Sequence, residues 1–136
     1  MSVKVSGKYL GNKKIEITHL SSGAKITTDA PVDNNGEGKL FSPTDLVAAA
    51  LGACVTTIMA IHGERDGIDL TGMYFEAEKH MAQNPRRICP LTVVIHLPKN
   101  LNQEYREKLE RAGGNCPVHH SLSEGVQAEI TYVYDV

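Results

Sequence analysis

The residues of this chain best suited to chemistry are its three thiols, Cys54, Cys89 and Cys116. Cys54 interrupts the apolar stretch FSPTDLVAAALGACVTTIMAIHGE, residues 41–64, and Cys116 follows 62 residues later in GGNCPVHHSL. A cysteine can be small apolar filler, a metal ligand or one half of a redox pair. Local sequence weighs these options differently at each thiol. Cys116 immediately precedes Pro117, and proline fits the first position of a helix. Its sulfur would then lie where unpaired N–H groups point outward, and the positive helix end favours thiolate. Cys54 falls near the middle of a helix, beyond the reach of that effect, and taken alone reads as a core cysteine. Cys89 alternates in phase with Leu91 and Val93 and reads as a core-face strand residue.

A metal site is the other chemistry these residues could support. Cys116, His119 and His120 offer ligand spacings of three and four, and Cys54 and His62 could approach from elsewhere. No CxxC or HxxxH pair accompanies them, whereas closed zinc sites usually carry such local pairs. The expectation is no bound metal, with His119 and His120 exposed or hydrogen-bonded.

The elements that must position the thiols follow from periodicity. Val3, Val5 and Tyr9 alternate with polar residues, as do Ile15 and Ile17, then Ala24, Ile26 and Thr28. Gly11-Asn12 and Ser21-Ser22-Gly23 punctuate them, which reads as a three-stranded antiparallel meander. The run from Asp33 to Gly38 is a loop by composition. Ser42-Pro43-Thr44-Asp45 then opens a helix: serine as N-cap, proline at the first helical position, aspartate where it can reach back to the cap. That helix should run to about Gly63 and is apolar on every side, which calls for burial all round. A 136-residue monomer seldom wraps a helix so fully, so oligomerisation would supply the missing cover.

Met73, Phe75 and Ala77 alternate with polar residues, Gln83-Asn84-Pro85 makes a turn, and Cys89, Leu91, Val93, Ile95 and Leu97 share the core face of a second strand. Asn102 caps a helix with the stripe Tyr105, Leu109 and Ala112, and with i,i+4 pairs Glu104–Lys108 and Glu107–Arg111. Gly113-Gly114 ends it, Cys116-Pro117 starts a short third helix, and residues 126–136 close as a strand. The order is βββ-α-ββ-α-α-β, an α+β arrangement without βαβ alternation.

Bulk properties bound the function. The length suits one domain, 1–136, with a single core. A formal net charge of -2, no tryptophan and two phenylalanines give nothing to attract nucleic acid or an anionic membrane. MSVKVSGKYLGNKK has no apolar signal region. The most apolar run, Leu46 to Ile61, falls short of the roughly 20 residues a membrane span needs. These features predict a cytoplasmic protein, where three cysteines are not a disulfide scaffold.

With the elements in place, a resemblance emerges. SPTDLVAAALGAC resembles the first signature of the OsmC/Ohr superfamily, the osmotically inducible protein C and organic hydroperoxide resistance proteins. NCPVHHSL is similar to the second, a Cys-Pro step opening a helix, and the element order agrees over nearly the whole chain. The resemblance implies an intertwined α+β homodimer, an antiparallel sheet with the long helices central, and active sites at the interface. It implies that Cys54 is the peroxidatic thiol, attacking the O–O bond of an organic hydroperoxide and becoming a sulfenic acid. Cys116 would resolve it as a disulfide. No bound cofactor is implied; an external thiol, or a dithiol such as dihydrolipoamide, would reset the pair, in a role in oxidative-stress defence. Leu51, Ile58 and Ile61 around Cys54 would favour organic hydroperoxides over hydrogen peroxide.

The chain departs from that pattern at one point. Well-characterised hydroperoxidases of the superfamily brace the first cysteine with an arginine from the N-terminal region and a glutamate near the start of the long helix. Here the glutamate position, ten residues before Cys54, is Thr44, and no arginine precedes Arg65. At roughly 100° per residue Asp45 lies about 180° around the helix from Cys54 and Thr44 about 80°. Lys39 or Glu37 could substitute from the preceding loop, though lysine lacks the arginine fork. Arg86 and Arg87 could arrive across a dimer interface or simply belong to their own β-turn. Two functions therefore stay open: a thiol-dependent hydroperoxide reductase, or a module of the same fold that binds a small apolar or lipid-like ligand and has little peroxidase activity.

Overall fold

The structure, a computed structural model, describes the whole chain, Met1–Val136. It divides into two compact units, Met1–Leu46 and Val47–Val136.

In the first unit, β1 (Val5–Gly11), β2 (Lys14–His19) and β3 (Lys25–Thr28) form the expected antiparallel meander in the order β1-β2-β3. Gly11, Asn12 and Lys13 take φ values of 91°, 52° and 63°; glycine and asparagine tolerate this left-handed turn best. The period of two is obeyed, yet β1 buries neither face: Val5 and Tyr9 are exposed, and so are Ser6 and Lys8. The loop after β3 is closed by the Asp29 N–H, which donates to the Phe41 carbonyl at 3.0 Å.

Helix α1 (Pro43–Arg65) opens on the capping box read from the sequence. The Asp45 N–H donates to Ser42 Oγ at 3.1 Å, and the Ser42 N–H donates to Asp45 Oδ2 at 2.8 Å. Two otherwise orphaned donors are satisfied reciprocally.

The second unit holds most of α1, then β4 (Tyr74–Ala82), β5 (Arg87–His96), α2 (Gln103–Gly114), α3 (Pro117–Ser121) and β6 (Ala128–Val133). Its sheet runs β4-β5-β6, with β4 and β5 antiparallel but β5 and β6 parallel. The sheet is therefore mixed rather than wholly antiparallel as expected, with one parallel crossover, β5 to β6, in an arrangement that is still α+β. The reason is the connection: α2 and α3 carry the chain back so that β6 starts from the same end as β5.

Leu51, Val55 and Met59 of α1, Leu91, Val93 and Ile95 of β5, and Leu109 of α2 are fully buried together. Gly52 allows a close approach within this core: a Cβ there would run into the Phe75 ring. Asn102 caps α2 as its position predicts, accepting the Tyr105 N–H at 2.8 Å. Lys108, paired with Glu104 on spacing, instead reaches Asp66 at 2.8 Å, where the Tyr105 hydroxyl also donates at 3.0 Å. That cluster ties α2 to the end of α1.

At 23 residues α1 is long and apolar enough to span a bilayer by length and composition, but part of it belongs to the core. Its all-round apolarity is not matched by burial within one chain: Ala50, Ala53, Thr57, Ala60 and Ile61 stay exposed.

Cys89 departs from the expected core face. The β4–β5 register shifts between Lys79 and Met81, which pair with Leu91 and Ile88, so Cys89 and Pro90 together oppose His80. One extra residue reverses the inward parity. Ile88 is buried in its place and Cys89 is half-buried.

Candidate active site

The site grows from the junction of α2 and α3 where it lies against α1. Gly113 makes this contact possible, since a Cβ there would meet the Tyr132 hydroxyl at 2.9 Å and the Val55 side chain at 3.1 Å. Immediately beyond, Cys116 is the N-cap of α3 and Pro117 occupies its first turn, as the Cys-Pro step predicts. The side chain of Cys116 turns inward. Its Sγ accepts the His119 N–H at 3.2 Å, and the residue has no exposed surface.

Cys54 reaches the same place from the middle of α1. It is half-buried and packs against the core, both cysteines are free thiols, and it lies near enough to Cys116 to raise that thiol's pKa. The fold thus brings together the two thiols that the sequence set far apart, and leaves Cys89 on its strand bulge.

The electrostatics at Cys116 differ from the expectation of a helix-stabilised thiolate. Burial pushes its thiol above the ordinary value, and the hydrogen bond and charge of Cys54 push the same way. The N–H groups of His119 and Val118 pull it down without prevailing. A single turn of helix aligns few peptide dipoles, while loss of water penalises the anion more.

Tyr132 is a neighbour that the sequence did not single out. Its hydroxyl donates to the Glu110 carbonyl at 3.3 Å. Its pKa is pushed up to about 12 by burial, then by the charges of Glu110 and Cys116. In the sequence it is one of several alternating residues of the last strand, with nothing to distinguish it. His119 contributes its backbone amide to Cys116, and its ring Nδ1 lies 3.4 Å from the Gly114 carbonyl. His119, His120, Leu122, Ser123 and Glu124 line an open cavity of about 530 Å3 beside α3. No three His, Cys, Asp or Glu side chains are grouped so as to hold a metal ion.

The residues weighed as substitute braces have local partners. Thr44 Oγ1 lies 3.1 Å from Ser42 Oγ, within the α1 cap. Glu37 accepts from Asn12 at 2.9 Å and pairs with Lys39 at 3.0 Å and Lys14 at 3.5 Å. Arg87 donates to the Gln83 and Pro85 carbonyls, both at 3.2 Å, within its own hairpin. Of the apolar residues proposed around Cys54, Leu51 is consumed by the core, Ile58 is half-buried, and Ile61 is 54% exposed.

Comparison with known proteins agrees with this architecture. The family described as OsmC-like protein matches residues 36–131. A crystal structure from Psychrobacter arcticus, of a protein assigned to the osmotic stress and detoxification response, is 34% identical. The match covers 97% of this chain and 95% of that one, with a TM-score of 0.88. An organic hydroperoxide resistance protein OsmC from Legionella pneumophila shares the fold at 20% identity and a TM-score of 0.74, covering 98% and 97% of the two chains. An organic hydroperoxide resistance protein from Elizabethkingia anophelis does so at 12% identity and a TM-score of 0.79, covering 99% and 97%. No protein with a curated description matches. The mixed α+β fold and these matches define the class, and the chain belongs to the OsmC-like family of the OsmC/Ohr superfamily.

Proposed function

We propose that the protein is a thiol-dependent reductase of organic hydroperoxides in oxidative-stress defence, with Cys54 as peroxidatic and Cys116 as resolving thiol. One observation carries this reading: a partly accessible residue of α1, Cys54, and the fully buried N-cap of α3, Cys116, are neighbouring thiols and both are free. Family membership supports a stress-related redox role. Cys54 thiolate attacks the O–O bond, becomes a sulfenic acid and releases the alkoxide, which takes a proton to leave as the alcohol. Cys116 thiolate then displaces hydroxide from the sulfenic sulfur, giving the disulfide and, with a proton, water. An external thiol or dithiol returns both sulfurs to thiols. The protein acts as a cytoplasmic homodimer, and a second copy covers the exposed apolar face of α1.

Intact-mass measurement after cumene hydroperoxide tests this. Closure of the Cys54–Cys116 disulfide removes two protons, a loss of about 2 Da. Cys89 should remain alkylatable and Cys54→Ser should abolish turnover with dithiol. A fully reduced protein after treatment would remove the peroxidase reading. Faster consumption of hydrogen peroxide than of cumene hydroperoxide would remove the substrate preference.

Thr44 within the helix cap, where a bracing carboxylate is expected, favours a second reading. In it the fold binds a small apolar or lipid-like ligand, with the thiols vestigial or redox-sensing. It predicts slow peroxide turnover and a ligand that raises the melting temperature even of Cys54→Ala.

A further inference from the structure

The two sulfurs differ in one respect that decides how the oxidised pair can be opened. Thiol–disulfide exchange passes through three sulfurs nearly in line, so the attacking thiolate must reach the outer side of the sulfur it bonds to. Cys116 presents no surface, and the His119 N–H occupies one side of its sulfur at 3.2 Å. Cys54 keeps part of its surface open. The two thiols are neighbours, near enough for Cys54 to shift the ionisation of Cys116.

We propose that the external reductant attacks Cys54 alone, so that the mixed disulfide forms on Cys54 and Cys116 is always the leaving thiolate. This rests on the Cys54–Cys116 pair put forward above, and names the sulfur through which that pair is reset. In the first step a thiolate RS⁻ bonds to Cys54 Sγ, the Cys54–Cys116 bond breaks, and its electron pair leaves on Cys116 Sγ, which then takes a proton. In the second step another thiolate, from the same or a second reductant molecule, bonds to the R sulfur. It releases Cys54 as thiolate and the reductant as its disulfide. Two electrons pass from two thiols to the protein disulfide.

Electronic preference runs the other way. Cys116 has a raised pKa as a thiol, and a higher-pKa thiol leaves more slowly. Access overrides this, because a sulfur with no exposed surface cannot be approached in line at all. The hydrogen bond from the His119 amide receives the charge as it arrives on the departing sulfur. Buried and uncoupled from the reductant, Cys116 stays beside Cys54 and is placed to re-close the bond on any adduct that is not cleared.

The test uses the full chain in a Cys89→Ser background, oxidised with diamide rather than peroxide. A brief pulse of excess glutathione is followed by acid quench, alkylation and peptide mapping. Glutathione should be found on Cys54, with the alkylating agent on Cys116, at least tenfold over the reverse arrangement. Adduct on Cys116, or equal labelling of both, overturns the proposal, as does failure of diamide to join the two cysteines.

If no adduct survives the quench, the single-thiol proteins decide. In the same background, Cys116→Ser should react with a chromogenic aromatic disulfide at least tenfold faster than Cys54→Ser. Equal rates overturn the proposal. If diamide closes the disulfide and glutathione maps to Cys54 while cumene hydroperoxide does nothing, the peroxidase reading fails and this one stands.

Discussion

Cys116 gives the whole of its surface to the protein interior, while Cys54, 62 residues earlier in the sequence and its neighbour in the fold, keeps part of its own open. This asymmetry makes them unequal partners: one can meet a solute, the other only its neighbour.

A pH dependence follows for the step in which Cys116 closes the disulfide. Its pKa is raised above the ordinary thiol value, so at neutral pH the reactive thiolate is a small fraction of the total. Below that pKa, each pH unit increases the fraction, and hence the closure rate, about tenfold. Two of the causes come from Cys54 and disappear once Cys54 is a neutral sulfenic acid, leaving burial as the chief penalty. Trapping of the sulfenic acid by dimedone should therefore fall steadily as pH rises from about 6 to about 9. A trapping yield independent of pH over that range would contradict the assignment of Cys116 as the resolving thiol.

Gly52 sits where α1 meets the Phe75 ring, with no room for a Cβ. Gly52→Ala should destabilise the fold by about 1–3 kcal/mol, the usual cost of overpacking a close contact. A smaller side chain at the other side of the contact, Phe75→Leu, should recover part of that loss. Urea titration of the two single variants and the double variant measures the coupling. Strictly additive losses would show that the two residues do not share this contact.

The α1 cap predicts a smaller effect. Ser42→Ala removes the acceptor for the Asp45 N–H and should cost about 1 kcal/mol. Ser42→Asp keeps an acceptor at the same place and should cost less. Thermal melts of the two variants, compared at equal protein concentration, check the order.

In the first unit, Glu37 has its pKa lowered to about 2 by hydrogen bonds from Lys39 and Asn12 and by the charge of Lys14. Its contribution to stability is present above the unfolded carboxylate value and is lost as pH falls through the folded value. A carboxyl NMR titration should place the Glu37 midpoint near that value, and Lys39→Met should move it upward. An unchanged midpoint in that variant would show that Lys39 is not the main cause.

Much of the local structure was legible because local chemistry decides it. Ser42, Pro43 and Asp45 form the α1 cap that their spacing predicts, Asn102 caps α2, and Cys116-Pro117 opens α3. Each depends on groups within a few residues of one another. The parallel placement of β6 was not legible, because pairing partners are chosen by the path of the whole crossover. Nor was the displacement of Cys89, since a bulge depends on two strands and alternation within one gives no sign of it.

Taken alone, the sequence determined the element order, the helix caps, the two cysteine signatures and, through their resemblance, the family. It did not determine which thiol is the accessible one; its helix-end argument pointed to Cys116 as the ionised sulfur. Tertiary packing reversed that, because the stabilisation offered by two amide N–H groups is outweighed by burial, and burial exists only once α1 and the α2–α3 junction have closed around the sulfur.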